Sequence, residues 1–186
     1  ISDFRIQEVQ KAGAIFDPAK LDWINNNHLA ALSFDDFKLQ LLPFLKKHSI
    51  DVSSKENSDE IIEAMRTSKP TLAGVALDLK PYFFDIDAYD EKAAKKFLTG
   101  SESSLEYIQR KLQGLEAWDE STIDEALAAA QAALSLPTPK LNQPIRIAMT
   151  GSTHSPSLGL TLSLFGKEES HLRISNAIKY LEESAS

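Results

Sequence analysis

The sequence contains no cysteine. Disulfides and thiolate metal sites are therefore excluded, and a reducing, cytoplasmic setting is expected. Glycine is scarce at seven residues, and strand-like alternation is nearly absent. Helical spacing of apolar residues dominates instead. No apolar run approaches the roughly 18 residues of a membrane-spanning helix. No signal-peptide pattern opens the chain, and an opening on Ile1 rather than Met leads us to expect a piece of something longer. What is present is ordinary globular material: 42% hydrophobic and 25% charged residues in a chain of 186. That length suits one large domain or two small ones.

Catalytic and metal motifs are missing as well. The four histidines, His28, His48, His154 and His171, show no HxxxH or HExxH spacing, so no metal site is expected. No G-x-S-x-G turn is present. The string Asp85, Asp87, Asp90, Glu91 lacks the central glycine and closing glutamate of a calcium loop; helix capping and a solvated face are expected of it. Gly166-Lys167 invites comparison with a phosphate loop, but position 161, where that motif needs glycine, is threonine. Gly166 is expected to end a helix.

The net charge of −7 opposes general nucleic-acid binding, since phosphates must be neutralised by lysine and arginine. The charge is unevenly spread. Residues 85–125 are predominantly acidic. From Lys140 to Tyr180 the basic residues Lys140, Arg146, Lys167, Arg173 and Lys179 face only Glu168 and Glu169, which predicts a small positive patch.

Several helix starts are legible. Asp17 and Pro18 suit a cap and a first helical position, and Leu21, Trp23 and Ile24 are expected to give that helix an apolar side until Asn25–Asn27 stop it. Ser33 with Asp36 resembles a capping box, and Pro43 is expected to kink or split the helix that follows. Ser58 and Thr71 are further cap candidates. Residues 135–144 hold three prolines and predict an extended connector. "IRIAM" (145–149) predicts a short extended segment, with Arg146 sharing a face with Ala148 and Ile145, Ile147 and Met149 opposite. Trp23, Trp118 and Tyr82–Phe84 are expected to pack rather than stack on bases. Arg146 stands out in its apolar run. It is either a surface or ion-paired arginine, or a guanidinium held at the lip of the polar loop "TGSTHSPS", fit for bidentate contact to a base edge or phosphate.

Three segments in order resemble one family, the bacterial glutamyl-tRNA synthetases. "AGAIFDPAKLDWINNNHL" resembles the helix after their catalytic half. "MRTSKPTLAGVALDLKPYFF" resembles their Arg-x-x-x-x-Thr-Leu stretch. "PIRIAMTGSTHSPSLGLTLSLFGKEESHLRI" resembles their C-terminal Arg-x-Ala-x-Thr-Gly segment, Ser-Pro loop and closing helix. His28 departs from a usual tyrosine and Asn26 from a common glycine, which leaves the end of the first helix open. The resemblance implies an all-α, two-subdomain anticodon-binding body, divided at 1–98 and 99–186, with at most a short extended segment near 144–150. It implies a parent glutamate–tRNA ligase whose catalytic half lies upstream, where ATP and magnesium bind. The HIGH-like and KMSKS-like motifs of that half do not occur here, so no catalytic residue, no cofactor and no aminoacylation are expected of this chain alone. The implied partner is the anticodon loop of glutamate tRNA, not DNA or a membrane. The implied contacts are Arg146, Ser155, Pro156 and Leu158, with Arg66 reading the third anticodon base. A helical protein–protein scaffold without an RNA role is the rival reading, favoured only by the net charge.

Overall fold

The computed structural model describes residues 16–184. The first fifteen positions, including the start of the first resemblance segment and of the 1–98 subdomain, and the last two lie outside the described residues. Among those described there are ten α-helices and no strand.

Helix α1 (Pro18–Ala31) starts as its sequence requires. Asp17 accepts hydrogen bonds from the Ala19 and Lys20 amides at 3.0 and 3.3 Å, and Pro18 opens the first turn. The three asparagines do not stop it. Asn27 Nδ2 turns back to the Trp23 carbonyl at 3.0 Å and Asn25 Nδ2 donates to the Pro70 carbonyl, so their amides are spent without competing for the helix's own donors. Nor is the apolar side buried: Trp23 is 68% exposed, Leu21 and Ile24 are exposed too, and only Leu29 of α1 enters the core.

Helix α2 (Phe34–Lys47) is capped by Ser33, whose hydroxyl accepts from the Asp36 amide and donates to the Asp36 carboxylate. Pro43 neither splits nor ends it. That residue lies on the exposed side, where a carbonyl deprived of its donor can face water. A single 3₁₀ turn (Val52–Ser54) leads to α3 (Ser58–Met65), which starts one position earlier than a Ser58 cap would place it, with Asn57 at the cap position. Helix α4 (Leu72–Phe83) is capped by Thr71. Helices α2 and α3 both pack on α4 through Phe37, Leu41, Leu45, Ile61, Ile62, Val75 and Leu79.

After the 84–90 loop, Asp90 caps the single turn α5 (Glu91–Ala93), which widens into a π-turn at Ala94–Leu98. The remaining helices are α6 (Glu102–Gln113), α7 (Glu120–Leu134), α8 (Thr138–Thr150), α9 (Leu158–Phe165) and α10 (Lys167–Ser184). Gly166, at φ 81°, separates α9 from α10, as its position predicts.

Helix α8 overturns the extended connector and the extended "IRIAM". Both segments belong largely to one helix. Pro139 fits its first turn, where no backbone donor is needed, and Pro144 is accommodated within it. Pro144, Ile145, Ile147, Ala148, Met149 and Thr150 are all buried, because α4, the π-turn, α6, α9 and α10 surround this helix. The apolar residues Leu141, Pro144, Ile145, Ala148 and Met149 do follow helical spacing, and it is the three prolines of residues 135–144 that make the segment read as extended.

Helices α7 and α9 meet closely at Gly159. A Cβ there would stand 2.7 Å from the Glu120 carbonyl and 2.4 Å from the Asp124 carboxylate. Gly159→Ala is expected to cost about 1–3 kcal/mol by overpacking; an unchanged urea midpoint would contradict this.

Candidate nucleic-acid interface

The loop after α8 is held from several sides. Gly151 leaves the helix at φ 74°, with its amide bonded to the Ile147 carbonyl at 2.8 Å. Its own carbonyl accepts from the Asp90 amide at 3.0 Å. Thr150 Oγ1 bridges the Arg146 and Ser152 carbonyls. At the far end Ser157 caps α9 and donates to Glu120 Oε1 at 2.6 Å. The fully buried Thr161 places its hydroxyl 2.8 Å from the Ser157 carbonyl and 3.1 Å from Ser155 Oγ.

Arg146 is the central fastening. Its Nη1 donates to the Ser155 carbonyl at 2.7 Å, the Pro156 carbonyl at 2.6 Å and Ser155 Oγ. One corner of the guanidinium shapes the loop, and Nε and Nη2 have no protein partner among the described residues. No carboxylate there pairs with it either. Burial lowers its pKa from the ordinary value, and Tyr82 partly offsets this; an arginine stays charged regardless.

Tyr82 lies beneath this corner, stacked on Phe165 at 4.6 Å. Burial pushes its phenol from 10.0 up to about 12, while Thr161 and Arg146 pull the other way. Between the unfolded and folded values the folded chain binds the extra proton. Stability is therefore unaffected below the unfolded value and falls as pH rises from 10 to about 12, by roughly 2–3 kcal/mol. Denaturant titrations across that window should show the decline. Tyr82→Phe should remove most of it, with Tyr89, also raised by burial, supplying a remainder.

Arg146, Gln143 and Thr153–Pro156 form one wall of a groove of about 460 Å³, and Ala64, Met65, Thr67–Lys69 and Asp78 form the other. Ser155 and Pro156 are half-buried and His154 is exposed on its rim. Leu158 is buried and supports the loop from below. Arg66 is not brought to this groove. Its Nη1 donates to the Leu32 carbonyl at 3.1 Å and the Ala30 carbonyl at 3.4 Å, Nη2 pairs with Glu63 at 3.0 Å, and its guanidinium lies 5.2 Å from the Phe37 ring centre. In this arrangement Arg66 ties the end of α1 to α2 and α3.

The positive patch expected between residues 140 and 180 does not form. Arg173 is buried, Lys167 Nζ caps the Leu115 carbonyl at 2.6 Å, and Lys179 pairs with Glu183 at 3.7 Å. Basic residues spaced along helices point in different directions, and only Arg146 faces the groove. Of the aromatics, Tyr82 packs as expected and Trp118 donates to the Leu162 carbonyl at 3.0 Å, whereas Trp23 and Phe84 are exposed. Gln143 and Asp78 escape sequence reasoning. In a strand, residues 143 and 146 point to opposite faces; one helical turn puts them side by side.

Residues 36–178 match the anticodon binding domain family. The chain belongs to that family. This anticodon-binding domain is 30% identical over 182 residues to glutamate–tRNA ligase 2 of Halorhodospira halophila, covering 97% of the chain and 39% of the relative. It is 30% identical over 188 residues to glutamate–tRNA ligase 1 of Caldanaerobacter subterraneus subsp. tengcongensis, covering 99% and 39%. Among solved structures it resembles a glutamate–tRNA ligase from Elizabethkingia meningosepticum with TM-score 0.77 and 26% identity, over 96% of the chain and 35% of that protein. A second, from Elizabethkingia anophelis, gives TM-score 0.74 and 27% identity over 95% and 34%. The domain is homologous to the C-terminal region of glutamate–tRNA ligases and spans about two fifths of the length of these relatives. No helix among the described residues is long and apolar enough to cross a membrane.

Proposed function

We propose that this domain reads the anticodon loop of glutamate tRNA as the C-terminal part of a glutamate–tRNA ligase. Residues 1–98 form the proximal part and 99–186 the distal part. The observation that carries the reading is Arg146. Its charge is unpaired among the described residues, one nitrogen is fixed to the Ser155–Pro156 loop, and the others are free beside a groove. Unpaired bases expose edges and faces, and a braced guanidinium reads them at low entropic cost. Ser155 and Pro156 shape the reading loop, Leu158 supports it, and Arg66 acts by holding the α1 end of the scaffold. The domain itself supplies no catalytic group and holds no cofactor. ATP, magnesium and the chemistry of ligation belong to an upstream catalytic part, and the tRNA is positioned for it in the cytoplasm.

Titrating the chain with glutamate tRNA at two salt concentrations tests this reading. Binding should weaken markedly with salt, because phosphate neutralisation releases counterions. A protein–protein scaffold predicts no complex at either concentration.

A further inference from the structure

Family resemblance points to Arg66 as the cation that the early helices bring to RNA, but the groove receives Lys69 instead. The segment that carries Lys69 is braced. The Ser68 amide donates to the Met65 carbonyl at 3.0 Å, Asn25 Nδ2 donates to the Pro70 carbonyl, and Thr71 caps α4. Pro70 also confines the residue before it to extended backbone. The stem of Lys69 lies against Gly74. A Cβ there would stand 2.8 Å from Lys69 Cβ and 3.0 Å from its Cγ, so a side chain at that position would push the stem away. The ammonium is thereby led along α4 to Asp78, one turn beyond Gly74.

Asp78 does not hold it firmly. The ion pair spans 3.7 Å, beyond hydrogen-bonding distance. No protein group among the described residues accepts a hydrogen bond from the ammonium. The Lys69 side chain is 36% exposed, so its three N–H donors are open to the groove. On the facing wall Arg146 presents Nε and Nη2, and Thr67, Ser68 and Thr153 add hydroxyls to the lining. Two cations against one carboxylate make the groove positive, in a chain whose net charge is −7.

The two cations differ in what they suit. A planar guanidinium matches a base edge, whereas a compact ammonium meets a phosphate as a point charge. A volume of about 460 Å³ falls in the range that holds a ligand of nucleotide size. We infer, on the anticodon-reading function proposed above, that Lys69 is a second RNA contact of this groove: it turns from Asp78 to one backbone phosphate of the anticodon loop, whose neighbouring base lies toward Arg146. Lys69 sets the strength of binding and the register of the strand, and it does not choose the base.

Glutamate tRNA and transcripts with single anticodon substitutions are titrated at several salt concentrations against the wild-type chain, Lys69→Gln and Lys69→Arg, with thermal melts confirming folding. Lys69→Gln should bind every transcript roughly fivefold more weakly at about 0.1 M salt, and its plot of log K against log salt should be shallower by about 0.7. Base preference should stay as in the wild type, and Lys69→Arg should restore both affinity and slope. In a second arm, anticodon stem-loops carry one neutral methylphosphonate at a time in place of a phosphate. One position should cost the wild type the same loss, and Lys69→Gln should lose nothing further there. An unchanged salt slope in Lys69→Gln, an altered base preference, or the absence of any sensitive phosphate for the wild type overturns the inference. If the wild type still prefers the matching anticodon in that case, only the role of Lys69 fails. If the wild type binds no transcript, the anticodon-reading function fails with it.

Discussion

Replacing Arg173 with methionine is expected to destabilise the domain by about 3–5 kcal/mol, because it removes one partner of a buried charged network. Arg173 is 5% exposed. Its Nη1 donates to the Met149 carbonyl at 2.8 Å, Nη2 to the Phe84 carbonyl at 2.9 Å, and Nε pairs with Glu169 at 2.5 Å. The guanidinium also lies 4.4 Å from the centre of the Phe165 ring. One side chain thus joins the end of α4, the end of α8, and α10. Methionine fills the space but leaves two carbonyls without donors and Glu169 without its cation. Lys55, 5.9 Å from the centre of the same ring, also interacts electrostatically with Glu169, but its compact ammonium lacks the planar fork with which Arg173 holds two carbonyls at once. Urea unfolding should show the loss directly. A change below about 1 kcal/mol would mean that water replaces the guanidinium without penalty.

The second large effect concerns Arg146. Arg146→Ala should weaken tRNA binding by roughly 1–3 kcal/mol and relax the choice of anticodon. It also deprives the Ser155 and Pro156 carbonyls of their donor, so the loop should loosen. Arg146→Lys separates the two contributions. A lysine keeps the charge but cannot hold a loop carbonyl with one nitrogen and a base with another. It should therefore recover the salt dependence without recovering selectivity. Equal affinity of wild type and Arg146→Ala at fixed salt would remove Arg146 from the interface.

Local chemistry made much of the scaffold legible. Asp17, Ser33 and Thr71 cap the helices they precede, and Gly166 separates two helices, because a cap depends on neighbours within one turn. Helix α8 escaped the same reasoning because the three prolines of residues 135–144 read as an extended connector, whereas packing against five neighbouring elements holds the segment helical. The misreading carried over to the groove, since only a helix puts Gln143 beside Arg146. Arg173 illustrates the converse failure. Its charge suggested a binding surface, yet the ends of α4 and α8 needed a donor, and nothing within the sequence neighbourhood of Arg173 announces those distant carbonyls. The exposed Trp23 likewise follows from what α1 does not touch.

The groove's walls come from segments far apart in the chain, residues 64–78 and 143–156. An RNA seated there would act as a removable crosslink. By mass action it stabilises whichever state keeps both walls together. Saturating tRNA should therefore slow the parting of the early and late helices and shield the connecting 84–90 loop from proteases, although no residue of that loop lines the groove.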